Sequence, residues 1–194
     1  MKRNQHSILN TRNLVMMALL VAIQIILARY LSIQSEMFRI SFETIPLALA
    51  GIWLGPASGA IVALVSDILG TVLSGIGLYF PPLSLGPVTF AVLCGLGAKY
   101  LRKYQGVWEY ILMPVTVTLA GIINSFVVGV AAFVWYQISV MGTEGSFWGL
   151  AAIDFGSRLA TKPLTIIATT LAVFLIDRAA YRPVVSRILS RHGA

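Results

Sequence analysis

The sequence is poor in charged residues. Only 11% of its 194 residues are Asp, Glu, Lys or Arg, whereas 58% are apolar; a soluble domain carries about 25% charged residues. This deficit largely excludes an ordinary cytosolic enzyme and a nucleic-acid-binding domain. The length allows one compact unit of several membrane spans and no separate soluble domain. We therefore predict an all-α integral membrane protein of the cell membrane, with residues 1–194 forming a single membrane domain.

Residues for covalent and metal chemistry are also scarce. The one cysteine, Cys94, excludes an internal disulfide and a cysteine-rich metal site. The two histidines, His6 and His192, lie near the ends of the chain, so no histidine within the membrane is left to bind zinc or to activate a serine. A phosphate-binding loop of the Walker type does not occur. We expect no cofactor, no metal and no ATP hydrolysis by this chain; a membrane enzyme is a distant alternative.

Six apolar runs are long enough to suggest membrane spans, which need about 20 residues as a helix. The second and third runs are separated only by Gly55-Pro56, where glycine tolerates a tight turn and proline resists continuing a helix. This stretch reads as a short re-entering pair. Because no small-residue cleavage site follows the first run, we interpret it as a span rather than a signal peptide. The six predicted transmembrane helices cover residues 13–31, 44–54, 57–74, 83–101, 110–140 and 147–177.

The basic residues outside the spans indicate an orientation. The chain has 14 Lys and Arg against 7 Asp and Glu, and most of the basic residues fall on one side if six spans alternate. Cytoplasmic loops collect Lys and Arg, so we predict that both termini are cytoplasmic. The residues on that side are Lys2, Arg3, Arg12, Lys99, Arg102, Lys103, Arg178, Arg182, Arg187 and Arg191.

The remaining charges fall in the outer half of the membrane or in outer loops. They are the basic residues Arg29, Arg39, Arg158 and Lys162, and the acids that are not near the cytoplasmic face, Glu36, Glu43, Asp67, Glu144 and Asp154. A charge at the bilayer centre costs at least about 2.5 kcal/mol, so such side chains normally face a cavity or a partner. They predict a polar chamber that opens outward. The segment from Arg29 to Glu43 is either a loop that folds over this chamber or an ordinary solvated loop.

Three charges in the sixth span recur at every fourth residue: Asp154, Arg158 and Lys162. This spacing places them on one stripe of a helix. One interpretation is a structural ion pair between Asp154 and Arg158, with Lys162 reaching toward water. The other is a wall that receives an anion, because one acid does not balance two bases and a ligand carboxylate would complete the set.

Asp67 and a group of aromatic residues have two interpretations each. Asp67 is either a buried acid, protonated or paired with Arg39 or Arg158, or a ligand group that accepts hydrogen bonds from a flat amino-heterocycle. The aromatic residues at the outer level, Tyr79 and Phe80 among them, belong either to an interfacial belt or to a stacking surface for a planar ligand.

Small residues on the first span complete a recognisable pattern. Ala18 and Ala22 lie four residues apart and let another helix approach closely. Six short spans, cytoplasmic termini and this alanine pair resemble the substrate-binding S components of energy-coupling factor (ECF) vitamin transporters. The stretch from Arg39 to Gly51, followed by Asp67-Ile68-Leu69-Gly70 and Gly77-Leu78-Tyr79-Phe80-Pro81, looks most like the folate-specific group of that family. The resemblance is close over roughly the first half of the chain.

This resemblance implies a function, partners and residue roles. The chain would be the high-affinity binding subunit of a prokaryotic vitamin importer for folate, working with a transmembrane coupling subunit and two cytoplasmic ATPases, and it would topple in the membrane to release its vitamin. Ala18 and Ala22 would contact the coupling subunit. The residues that would bind the pterin, the linker and the glutamate tail of folate are Arg39, Asp67, Tyr79, Phe80, Arg158 and Lys162. The alternatives are an S component for another small solute, such as a thiamin precursor, pantothenate or a queuosine precursor, and a membrane scaffold without a ligand.

Overall fold

The computed structural model describes residues 11–30, 33–34, 39–40, 42–74, 81–101, 107–139, 163 and 165–179. Its longer helices are α1 (Thr11–Tyr30), α2 (Thr44–Leu54), α3 (Pro56–Ser74), α4 (Pro81–Leu101) and α5 (Val107–Ser139). A further helix, α6, comprises residues 165–176 and continues as a π-helical turn over residues 177–179. Between α1 and α2, the short strands β1 (Ile33–Gln34) and β2 (Arg39–Ile40) pair antiparallel.

Four helices in the described residues are long and apolar enough to cross a membrane, namely α1, α3, α4 and α5. In contrast, α2 has 11 residues, a length of about 16 Å, or half of the hydrocarbon core of a bilayer. Exposed leucine, isoleucine and valine side chains occur along the outward surfaces of these helices, as expected for side chains that face lipid. The predicted all-α membrane fold is confirmed.

A single residue, Gly55, turns the chain between α2 and α3. Its φ is +96°, which side chains other than glycine rarely adopt, and its N–H donates to the Gly51 carbonyl at 3.0 Å. Pro56 then begins α3, where its fixed φ suits a helix and its missing N–H is not needed. Because the turn uses only one residue, α3 has 19 residues, a length of about 28 Å. The expectation of a re-entering pair is therefore wrong for α3, and only α2 is short.

The helix α4 packs on α2, α3 and α5, and α5 in turn packs on α6. The Thr118 and Thr170 hydroxyl groups lie 3.3 Å apart, and a Cβ at Gly121 would lie 3.3 Å from Cγ1 of Ile166. Later residues of α5 thus contact earlier residues of α6. The two helices are antiparallel.

Two hydrogen bonds show that α2 and α6 run in the same direction. At the start of α2, the Thr44 hydroxyl pairs with that of Thr169 at 3.0 Å. Near the end of α2, Nε1 of Trp53 donates to Oδ1 of Asp177 at 2.8 Å. The second and sixth helices therefore run in the same direction, as an alternating arrangement of six helices requires.

Three glycines bring the backbones of α2, α3 and α4 into direct contact. A Cβ at Gly51 would collide with the Ala91 carbonyl oxygen of α4, and one at Gly59 would lie 2.9 Å from the Gly51 Cα. A Cβ at Gly95 would lie 2.8 Å from the backbone of Pro56. These contacts fix the Gly55 end of α2 between its two neighbours.

The Trp53–Asp177 hydrogen bond makes a testable contribution to stability. Trp53→Phe keeps an aromatic ring but removes the N–H, and both partners are half-buried. We expect the free energy of unfolding to fall by about 1 to 2 kcal/mol, because a hydrogen bond to a charged group contributes about 1.5 to 3 kcal/mol when well shielded. The measurement is the melting temperature in detergent. Tyr100→Phe, on an exposed side chain of α4, is the control; equal melting temperatures for both variants would contradict the assignment.

Candidate functional site

The structure describes only part of the predicted ligand-binding set. It includes the backbone of Arg39 and the whole of Asp67. The other predicted ligand residues, Tyr79, Phe80, Arg158 and Lys162, lie outside the described residues. The two alanines predicted to contact a partner subunit, Ala18 and Ala22, lie within α1.

Arg39 lies on β2, opposite Gln34 of β1, and Ile33 is opposite Ile40. The segment predicted as an outer loop between the first two spans thus contains a two-stranded hairpin, and Arg39 is part of it. Five residues after Arg39, Thr44 begins α2. The hairpin residues therefore lead directly into the short helix.

Asp67 joins α3 to α4. Its Oδ2 accepts a hydrogen bond from the Ser84 hydroxyl at 2.5 Å, and Ser84 is fully buried. The Asp67 carbonyl accepts a second bond from the Thr71 hydroxyl at 2.9 Å. A carboxylate has about four acceptor positions. After bonding to Ser84, the Asp67 carboxylate can therefore still accept hydrogen bonds from a ligand.

Ala18 and Ala22 are exposed on α1, whereas Met17, Leu20 and Val21 of the same helix are buried in the core. The alanine pair therefore lies on the face of α1 that points away from the bundle. Neither alanine is covered by the other helices that the structure describes.

A cavity of about 30 Å³ lies between α2, α4, α5 and α6. Its polar lining comprises Thr44, Asn124, Ser125, Thr165 and Thr169, and the buried ring of Phe90 belongs to its apolar lining. Because four helices contribute to it, this cavity is lined by residues that are far apart in the sequence.

The polar groups of this cavity divide into two classes. Some have partners: Thr44 pairs with Thr169, and the Ser125 hydroxyl donates to the Gly121 carbonyl at 2.9 Å. Two others, Oδ1 of Asn124 and Oγ1 of Thr165, are buried without a hydrogen-bond partner among the described residues. Such atoms are uncommon in folded proteins, and each requires an explanation.

The sequence reasoning did not single out Asn124 or Thr165. A signal was present, because Asn124 is an amide in the middle of the fifth apolar run, where polar side chains are rare. Threonine is common in membrane helices, however, and carries little information alone. Only the pairing of α5 with α6 shows that the two residues line one cavity.

The chain matches a known family over most of its length. Residues 12–180 match the family described as "ECF transporter, substrate-specific component". A protein of Clostridium novyi (strain NT) named folate transporter FolT is 37% identical over 83 residues, which are 43% of this chain and 48% of that protein. FolT of Leuconostoc mesenteroides subsp. mesenteroides is 24% identical over 111 residues, 57% of this chain and 58% of that protein. The chain thus spans about half the length of the curated relatives it matches.

Solved structures share the fold. A crystal structure of FolT bound with folic acid has a TM-score of 0.60 at 22% identity and covers 83% of this chain and 92% of its own. ThiT from Listeria monocytogenes has a TM-score of 0.64 at 14% identity, with 89% and 98% covered. An S component of a bacterial ECF transporter has a TM-score of 0.54 at 19% identity, with 87% and 94% covered. With the family match over residues 12–180, this common fold confirms the resemblance seen in the sequence: the chain belongs to the substrate-specific components of ECF transporters and is a multi-pass protein of the cell membrane.

Proposed function

We propose that the chain is the folate-binding subunit of an ECF-type vitamin importer. The observation that carries the proposal is the 37% identity over 83 residues to the Clostridium novyi protein named folate transporter FolT. The motif from Arg39 to Gly51 and the Asp67-Ile68-Leu69-Gly70 motif support the same substrate. Transport energy comes from ATP hydrolysed by partner subunits.

The chemistry of folate matches the residue types of the proposed site. Folate has a flat pterin, an aromatic linker and a glutamate tail. The tail carries carboxylates, which Arg39, Arg158 and Lys162 bind as cations. Asp67 accepts hydrogen bonds from the pterin, and Tyr79 with Phe80 stacks on the planar rings.

The short α2 supports a chamber at the outer end of the bundle. Close contacts of Gly51 and Gly95 hold the Gly55 end of α2 between α3 and α4. Because this end is held in place, it is the Thr44 end of α2 that falls short of the membrane surface. In the proposed orientation, with both termini cytoplasmic, this is the outer end, where a vitamin arrives.

The proposed partners are a transmembrane coupling subunit and two cytoplasmic ATPases. The coupling subunit docks on Ala18 and Ala22, whose exposed face of α1 accepts a closely packed helix. The bundle keeps its own core while this face is covered, so docking and vitamin binding use separate surfaces.

The cationic residues provide the test. Purified protein in detergent is titrated with folate and with pteroate, which lacks the glutamate tail. We expect Lys162→Ala and Arg158→Ala each to weaken folate binding about tenfold, since a hydrogen bond to a charged group contributes about 1.5 to 3 kcal/mol. Pteroate binding should change less, because pteroate lacks both carboxylates of the glutamate tail and keeps only the carboxylate on its benzoate ring.

Lys99→Ala is the matched control, because Lys99 is an exposed cation in the last turn of α4. It should leave both affinities unchanged. If the wild-type chain shows no saturable folate binding, the vitamin assignment is overturned. Mass spectrometry of a co-purified molecule then identifies another solute. A loss of folded protein without a change in affinity would instead indicate a scaffold whose charges neutralise one another.

A further inference from the structure

Two polar atoms in the cavity between α2, α4, α5 and α6 are left without a hydrogen bond. The Asn124 and Thr165 side chains are 8% and 7% exposed, and neither Asn124 Oδ1 nor Thr165 Oγ1 has a partner among the residues that the structure describes. A buried polar atom without a partner destabilises the protein, and lipid offers no replacement. The cavity therefore favours an occupant that bonds to both atoms.

Asn124 and Thr165 face each other across α5 and α6. The hydroxyl pair Thr118–Thr170 sets the register of these antiparallel helices. Six residues further along α5 is Asn124, and five residues back along α6 is Thr165, so both lie at nearly the same depth. One group placed between the helices reaches both side chains.

The neighbouring polar groups already have hydrogen-bond partners. Thr44 and Thr169 bond to each other, and Ser125 donates to the Gly121 carbonyl. The unused atoms are Oδ1 of Asn124, which only accepts, and the Thr165 hydroxyl group, which accepts and donates. An amino group satisfies both, because it has a hydrogen for each oxygen. A carboxylate could accept from Thr165 but has no hydrogen to donate to Asn124 Oδ1, so it leaves that atom unpaired.

The cavity is large enough for a small polar group. Its volume of about 30 Å³ exceeds the roughly 10 to 15 Å³ that one water requires, so an amino group fits beside the two polar atoms. Asn124 Oδ1 packs closely on Gly86 of α4, where an added Cβ would lie 2.7 Å from it. The buried ring of Phe90 provides an apolar wall beside the polar pair.

From this geometry we infer that Asn124 and Thr165 determine ligand specificity by binding the amino group of the ligand's heterocycle. The inference rests on the proposed folate binding. Of the three parts of folate, the tail carboxylates have no hydrogen to donate to Asn124 Oδ1, whereas the pterin carries an exocyclic amino group of the required size. A water molecule offers the same hydrogen-bond chemistry, and the experiment separates the two sources.

The experiment compares folate with 2-desamino-2-methylfolate, in which a methyl group replaces the amino group. In wild-type protein, the methyl analogue should bind about tenfold or more weakly, because it leaves both polar atoms unpaired. In Thr165→Val and Asn124→Leu this preference should fall to within about twofold, mainly through weaker binding of folate. Thr165→Ser keeps the hydroxyl group and should restore the preference.

Thr116→Val is the matched control, because it removes a hydroxyl group of α5 that donates to the Met113 carbonyl at 2.8 Å and does not line the cavity, and it should keep the wild-type preference. Thr165→Val removes only one polar atom, so it provides the test even if Asn124→Leu does not fold. A preference that is unchanged in Thr165→Val, in protein that binds folate, would mean that only water occupies the cavity and would overturn the inference. A wild-type chain that binds neither compound would overturn the proposed function and, with it, this assignment.

Discussion

Gly51→Ala is expected to destabilise the folded chain by about 3 kcal/mol or more. The added Cβ would collide with the Ala91 carbonyl oxygen and lie 3.0 Å from the Gly95 nitrogen. Both atoms belong to the α4 backbone, which cannot move aside as a flexible side chain does. An alanine in a helix normally gains up to about 1 kcal/mol over glycine, so the collision outweighs the gain. The measurement is the melting temperature in detergent, together with the yield of monodisperse protein.

Gly121→Ala is the control for this prediction. Its Cβ would meet only the side chain of Ile166, at 3.3 Å from Cγ1, and that side chain adjusts by a small rotation. We expect the free energy of unfolding to change by less than about 1 kcal/mol. If Gly51→Ala melts at the wild-type temperature, α2 and α4 are not in backbone contact, and the proposed chamber above α2 loses its support.

Local sequence features were sufficient to predict most of the helical architecture. Gly55 and Pro56 mark the turn between α2 and α3 because a positive φ and a proline at the first helical position are properties of single residues. The bounds of α3 were predicted to within one residue, as 57–74 against the observed Pro56–Ser74; the error was to interpret a helix of this length as part of a short re-entering pair, although about 19 residues suffice for a span. The contacts of Gly51 with Ala91 and Gly95 join residues about forty positions apart, and no local pattern predicts them.

Less of the candidate site than of the helical architecture could be predicted from the sequence. Charges are conspicuous in an apolar chain, so Asp67 was singled out, but its bond to Ser84 depends on how α3 packs on α4. Asn124 and Thr165 were missed for a related reason: a neutral polar residue in a span gains significance only from the residue that faces it. Membrane helices satisfy their own backbones, and side-chain partners are therefore set by helix pairing rather than by sequence neighbours.

The hydrogen-bonding cavity and the exposed alanine pair lie on different parts of the bundle. The cavity is lined by α2, α4, α5 and α6, whereas Ala18 and Ala22 are on α1, which packs on α2 and α3. A change on the outer face of α1 should therefore leave vitamin binding intact. This separation allows binding and transport to be tested independently.

Ala18→Trp is expected to abolish transport while the affinity for folate stays at the wild-type value. Ala18 is exposed on α1, and the proposed docking of a coupling subunit requires close helix contact there. An indole ring holds two helices several ångströms further apart and prevents this contact. The measurements are folate uptake in cells that contain the coupling subunit and both ATPases, co-purification of those subunits, and folate binding to the isolated variant.

Ile23→Trp provides the control for this substitution. Ile23 is also exposed on α1, but five residues along a helix turn it about 140° from Ala18. An indole there faces lipid beside the docking face, so uptake and co-purification should remain near wild type. If Ala18→Trp transports folate as well as Ile23→Trp does, the coupling subunit docks elsewhere. If both variants lose folate binding, the outer face of α1 is coupled to the vitamin site, and the two surfaces are not independent.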